Sequence, residues 1–122
     1  MYRETVLITT AADGSATVQS GALLGKLYCV EYVPGSIATG ATLTITAEAE
    51  SSLRLLTRAN AGTTAWRRYP RENAHSITTG DALPAASAEG MVRPMINGKI
   101  KVVVAAGGNV TSGKVIFHVD ED

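Results

Sequence analysis

Apolar and polar side chains alternate with a period of two through most of this chain, and that constrains its fold more than any other feature. Successive side chains of a β-strand point to opposite faces, so a period of two describes strands with one packed face and one wet face. Thr42-Leu43-Thr44-Ile45-Thr46 shows it most cleanly, hydroxyls alternating with branched aliphatics. Residues 5–10, 16–18, 24–33, 53–57, 63–69, 99–104 and 114–119 carry related patterns, rich in Val, Ile, Thr and aromatic residues. Within 24–33 the period places Leu27, Cys29 and Glu31 on one face and Tyr28, Val30 and Tyr32 on the other.

Turn residues set the expected connections. Ala11-Ala12-Asp13-Gly14 predicts an opening hairpin, Pro34-Gly35 stops the third strand, Asn60-Ala61-Gly62 joins a middle pair and Gly107-Gly108-Asn109 a closing pair. No segment holds a helical period; the alanine-rich stretch 82–90 comes nearest, and Pro84 counts against it. The expected fold is all-β: one antiparallel β-sandwich spanning 1–122, jelly-roll-like, with about eight short strands, a small barrel being the other closure that fits. Between Arg71 and Asn97 the alternation fails. That stretch reads either as a functional loop or arm reaching a neighbour, or as a loop lying over the sandwich on Ile77, Leu83, Val92, Met95 and Ile96.

A chain of 122 residues that is 45% hydrophobic and 18% charged can bury one core. Its 11 basic and 11 acidic residues cancel, so attraction to nucleic acid or an anionic membrane has to be local. Met1-Tyr2-Arg3-Glu4 lacks the basic-then-apolar order of a signal peptide, and no apolar run approaches the roughly 20 residues of a membrane span. The expectation is a chain made in the cytoplasm, or one entering an assembly built there.

Residues that carry chemistry are scarce. Cys29, the single cysteine, rules out an intrachain disulfide and reads, among Leu27, Tyr28 and Val30, as a buried or half-buried strand thiol, a reactive thiol being the minor reading. His75 and His118 form no metal-ligand spacing, so no metal is expected. His118 reads as a strand residue facing away from Val115, Phe117 and Val119. His75, beside Glu72 and Ser76, shows no nucleophile and orienting acid of any specificity. Glu48 and Glu50 read as one solvated face. Neither nucleotide-binding glycine pattern occurs, and no cofactor or catalytic residue is expected.

One local asymmetry stands out. Arg54, Arg58, Arg67, Arg68 and Arg71 fall in a stretch with no acidic residue, with Trp66 and Tyr69 among them. Planar cations with large rings are the mixture of protein interface hot spots, and they also stack on bases. Alternation splits the group, Trp66 and Arg68 pointing one way and Arg67 and Tyr69 the other. Trp66 as a core residue rimmed by arginines, protein contact and nucleic-acid contact are the three readings. The acidic Asp120-Glu121-Asp122 is either a solvated tail or an opposite-sign partner for this segment on a neighbouring subunit.

In order and spacing, three parts of the chain resemble small structural proteins of tailed bacteriophages. They are Tyr2-Arg3-Glu4-Thr5-Val6 with Ala12-Asp13-Gly14, Arg68-Tyr69-Pro70-Arg71 ahead of His75, and Lys99-Ile100-Lys101-Val102-Val103-Val104-Ala105-Ala106-Gly107-Gly108. The resemblance is to proteins of the head-gene region, some of which act as capsid decoration or cement proteins. It spans nearly the whole chain and carries no catalytic or ligand fingerprint. It implies a β-sandwich subunit that forms a dimer or trimer and binds the major capsid protein on the outer surface of the virion, without cofactor, membrane or direct nucleic-acid contact. No site transfers residue by residue. The chain's own chemistry points to an N-terminal arm bearing Tyr2, Arg3 and Glu4, and to Trp66, Arg67, Arg68, Tyr69 and Arg71. A tail, baseplate or head-completion component is the alternative within the structural class. A carbohydrate- or receptor-binding sandwich is the alternative outside it, though with one Trp, one Phe and four Tyr an aromatic groove is hard to build.

Overall fold

The structure, a computed structural model, describes residues 2–47, 54–73 and 91–120. Among them are eleven β-strands and no helix: β1 (Tyr2–Thr9), β2 (Ala16–Gln19), β3 (Leu23–Val33), β4 (Thr42–Ala47), β5 (Arg54–Arg58), β6 (Trp66–Arg68), β7 (Glu72–Asn73), β8 (Met91–Val92), β9 (Met95–Gly98), β10 (Ile100–Ala105) and β11 (Ser112–Asp120). They build two antiparallel sheets packed face to face, the β-sandwich that the alternation predicts. The first sheet runs β1-β11-β3-β6 with β9 also on β3, the second runs β2-β10-β4-β5, and β7 pairs with β8.

All three expected hairpins are corrected. β1 pairs with β11 while β2 pairs with β10, so the turn at Asp13-Gly14 carries the chain from one sheet to the other. The middle pair separates likewise, β5 onto β4 and β6 onto β3, and β10 and β11 lie in different sheets. The turn residues were read correctly as turns; what they cannot encode is whether the chain folds back in plane or arches over the core. Asp13 Oδ1 accepts hydrogen bonds from the Ser15 amide and hydroxyl at 3.0 and 2.7 Å, which completes a local turn compatible with either outcome.

The core lies between the inward faces. Val6, Ile8, Leu27, Val30, Tyr32, Val115, Phe117 and Val119 come from the first sheet, and Leu43, Ile45, Ile100, Val102 and Val104 from the second. The phase of β3 changes midway. Cys29 pairs with His118 but Leu27 with Val119, leaving Tyr28 as an extra residue. This bulge lets Leu27 before it and Val30 and Tyr32 after it all face inward, and turns Cys29 and Glu31 outward. The assignment of Leu27 to the same face as Cys29 is thereby corrected, because a strict period of two cannot survive an inserted residue.

One end of the sandwich is tied by hydrogen bonds between distant loops. The Thr10 hydroxyl donates to Gly108 O at 2.9 Å and accepts from the Thr111 amide at 2.7 Å, while Thr111 Oγ1 donates to Gly107 O at 2.7 Å. Gly107 N donates to Gly14 O at 2.8 Å, and a Cβ on Gly14 would stand 2.8 Å from Gly107 N, so this crossing admits only glycine.

Most of the irregular stretch, residues 74–90, lies outside the described residues, with His75, Ser76 and the alanine-rich 82–90; so do Glu48 and Glu50. The rest of that stretch contributes β7, β8 and β9. Tyr2, Arg3 and Glu4 are corrected from an arm to the start of β1, in register with Val119, His118 and Phe117.

Candidate functional site: an arginine–aromatic sheet edge

β11 occupies one edge of β3, so β9 and β6 share the other, end to end. β9 takes Leu23–Lys26 and β6 takes Val30–Tyr32. Leu27 N in the gap donates to Pro94 O at 2.9 Å. Tyr28, the extra residue of the bulge, has no register partner, and its carbonyl accepts from Arg71 Nη1 at 3.0 Å. Arg71 Nη1 also donates to Pro70 O at 2.6 Å, so both its hydrogens go to carbonyls and the guanidinium is fixed in plane. A sequence irregularity in β3 thus positions a side chain from the loop after β6.

Arg71 sits between two rings. Its guanidinium carbon lies 5.9 Å from the centroids of both Tyr28 and Tyr69, which meet edge to face at 5.6 Å and 85°. Arg93 stands 5.3 Å from the Tyr28 centroid and its Nη1 pairs with Asp120 Oδ2 at 2.9 Å, which places Asp120 on an ion pair within the same molecule. Arg67 and Tyr69 point outward, 53% and 49% exposed. A hydrogen bond to Tyr69, and then the charge of Glu31, push the Arg67 guanidinium further above its ordinary range, so it stays charged at any working pH.

Arg67 connects this cluster to the outer face of the first sheet. Glu31 Oε1 lies 3.5 Å from Arg67 Nη2 and 3.2 Å from His118 Nε2. Arg3 faces His118 across β1 and β11. Cys29, opposite His118 in the ladder, is 1% exposed, and burial pushes its thiol up, outweighing the opposite pull of Arg67 and Arg71. A nucleophilic cysteine needs access and a lowered value. Cys29 is a buried strand thiol, as its neighbours suggested.

Trp66 and Arg68 turn to the other side, as the alternation requires. Trp66 packs on Tyr32 at 5.2 Å, donates from Nε1 to Ala61 O at 2.8 Å, and lies 5.1 Å from the Arg68 and 5.9 Å from the Arg58 guanidinium carbon. Half-buried, it closes the open side of the sandwich between β6 and β5. Of the sequence-derived candidates, the structure gathers Arg67, Tyr69 and Arg71 into one outward cluster and places Trp66 and Arg68 beside it. Tyr2, Arg3 and Glu4 stand apart, the Tyr2 hydroxyl accepting from Leu24 N at 3.3 Å and Glu4 Oε2 from Gly21 N at 2.9 Å. Tyr28, Arg93, Glu31 and His118 belong to the site and were missed as such; nothing in their spacing relates positions 28, 69 and 93.

No group of three His, Cys, Asp or Glu side chains able to hold a metal ion occurs among the described residues. An open groove of about 400 Å³ lies along β1, β3 and β11, with Leu7, Thr9, Val33, Ser112 and Lys114 in its lining. Comparison with protein-family models, with curated proteins and with solved structures finds no match.

Proposed function

We propose that this chain is a structural subunit of a tailed-phage particle, a head decoration protein that binds the major capsid protein on the outer shell and bridges neighbouring shell subunits as a dimer or trimer. The resemblance at Tyr2–Val6, Arg68–Arg71 and Lys99–Gly108 supplies the family. The observation that carries the binding role is the edge beyond β6, where Arg67, Tyr69 and Arg71 stand outward on a frame of two packed sheets. Rigid aromatic rings and oriented guanidinium groups lose little entropy on contact, which is why such residues dominate protein interfaces. Many copies, each bound weakly across a subunit boundary, hold a shell through avidity. The edge-to-face arrangement of Tyr28 and Tyr69 offers no flat platform to a sugar ring and disfavours the carbohydrate reading.

The test is the abundance of this chain relative to the shell protein in separated heads and tails, by quantitative mass spectrometry. Near-equal abundance in heads is the expected result. Trace amounts in tails would establish the tail or connector alternative, and absence from both would remove the virion assignment. In particles that carry the chain, the combined replacement Arg67→Gln, Tyr69→Ala is expected to lower head occupancy; unchanged occupancy by a folded variant would move the contact elsewhere.

A further inference from the structure

At the opposite edge of the first sheet from β6 lies β1, paired with β11 along its eight residues without a register shift. Thr10 N donates to Thr111 O at 2.8 Å, which fixes the phase of that ladder. Antiparallel hydrogen bonds alternate sides along a strand, so Tyr2, Glu4, Val6 and Ile8 turn their backbone groups to β11. Arg3, Thr5, Leu7 and Thr9 turn theirs away from it, and all four are exposed, Leu7 to 72%.

Outer strands ordinarily carry devices that keep other strands off: shortness, bulges, proline or exposed charge. In the two described sheets β2 and β9 have four residues each and β6 three, while β5 has arginine at both ends and meets β4 through a register shift. β1 is long and regular, with no proline or lysine. Its inward charge, Glu4, already accepts from Gly21 N at 2.9 Å.

We infer that β1 is the edge by which two copies of this chain associate, pairing antiparallel about a two-fold axis at Val6. The outward backbone groups sit at odd positions, so a two-fold pairing sets odd against odd and its axis falls on a residue of β1. An axis at Arg3 or Glu4 opposes like charges. The axis at Val6 is the one that engages all four outward residues, Arg3 with Thr9 and Thr5 with Leu7 of the second copy, and it opposes no like charges. It also gives the exposed Leu7 a neighbour in Thr5 of the second copy, beyond which Ile116 of that copy follows in register. This self-complementarity selects a second copy over an unrelated strand. Pairing consumes the edge in both copies, so the assembly closes at two. The inference goes beyond the decoration reading without resting on it, and selects the dimer from its dimer or trimer.

The experiment is sedimentation equilibrium of the purified whole chain from micromolar to millimolar concentration, with folding followed by circular dichroism. A monomer–dimer equilibrium is expected. Thr5→Lys, Leu7→Lys sets Lys against Lys twice across the axis and is expected to raise the dissociation constant about ten-fold or more. Thr5→Glu, Leu7→Lys sets Glu against Lys at the same two places and is expected to restore the dimer. Arg67→Gln, Tyr69→Ala, at the opposite edge, is expected to change nothing. Hydrogen exchange in the parent needs no variant: the Thr5 and Leu7 amides are expected to exchange more slowly at dimer than at monomer concentrations. A monomer throughout, a trimer, a dimer as tight with both lysines, no recovery in the Glu–Lys variant, or exchange at Thr5 and Leu7 indifferent to concentration would each overturn the inference. A β1-dependent dimer absent from heads would leave it standing and sink the decoration reading; a head-bound monomer would do the reverse.

Discussion

Replacing Thr10 by Val keeps the shape of a side chain that is 2% exposed and removes only its hydroxyl. Two protons are available among the two threonine hydroxyls there. That of Thr111 goes to Gly107 O, and that of Thr10 to Gly108 O or to Thr111 Oγ1, which lies 2.8 Å away. The variant therefore strands one donor, the Thr111 amide, and one acceptor, Gly108 O. A hydrogen bond contributes about 1 kcal/mol net, and a buried group left unpaired costs about 1–3 kcal/mol. Two groups at a partly buried site give a loss of about 2–4 kcal/mol. For a domain of this size that is a fall in Tm of roughly 6–16 °C. Urea unfolding followed by far-UV circular dichroism measures it directly, with a lower midpoint and an unchanged slope. Thr10→Ser, which keeps the hydroxyl, is expected to lose less, and Thr111→Val in the Thr10→Val background less than alone, because the two share bonds. A loss below about 0.5 kcal/mol in Thr10→Val would show that water replaces these bonds and that the loop crossing does not depend on them.

Other parts of the sandwich give equally definite outcomes. Gly25 has φ +145°, and a Cβ there would stand 2.4 Å from Asp120 O, so Gly25→Ala is expected to destabilise by more than about 2 kcal/mol in urea titration, whereas Asn60→Gly, at φ 51°, stays within about 1 kcal/mol. Trp66→Phe keeps a ring against Tyr32 but strands Ala61 O; a loss of about 1–2 kcal/mol in chemical unfolding is expected. Burial raises the Cys29 thiol above 9.0 and the Tyr32 phenol above 10.0, so the unfolded chain releases these protons first. Their contribution is fully present below pH 9 and declines as pH rises through the unfolded and then the folded values. Urea midpoints from pH 7 to 11 should therefore fall more steeply in the parent than in Cys29→Ser, Tyr32→Phe, and parallel curves would refute this.

Side-chain alternation made the sheets legible, and Thr42–Thr46 falls in β4 with Leu43 and Ile45 buried, as its pattern required. Pairing was not legible, because the hydrogen bonds of a ladder join backbone groups that every residue has. Whether Ala16–Gln19 lies beside β1 or across the core from it depends on surfaces contributed by β10 and β11, far along the chain. The candidate site divides the same way. Arginines and rings within one short stretch were visible, and so was the split between Trp66 with Arg68 and Arg67 with Tyr69. The role of Arg71 was not, since it donates to the carbonyl of a bulge residue forty-three positions earlier. The bulge itself shows in Leu27, Val30 and Tyr32 only once their burial is known.

The register that sets Tyr2 against Val119 and Thr9 against Ser112 also has a temporal meaning. A ribosome delivers β1 first and its partner more than a hundred residues later, at roughly 5–20 residues per second, so β1 waits several seconds with no ladder to join. Its apolar Val6, Leu7 and Ile8 are solvent-accessible throughout that interval. β2 waits in the same way for β10, and neither sheet can close until the last strands emerge. Folding therefore waits on β10 and β11 and is dominated by distant contacts, slow for a domain of this length. Before it, the nascent protein depends on dilution or a chaperone to keep its first strand from finding the wrong edge.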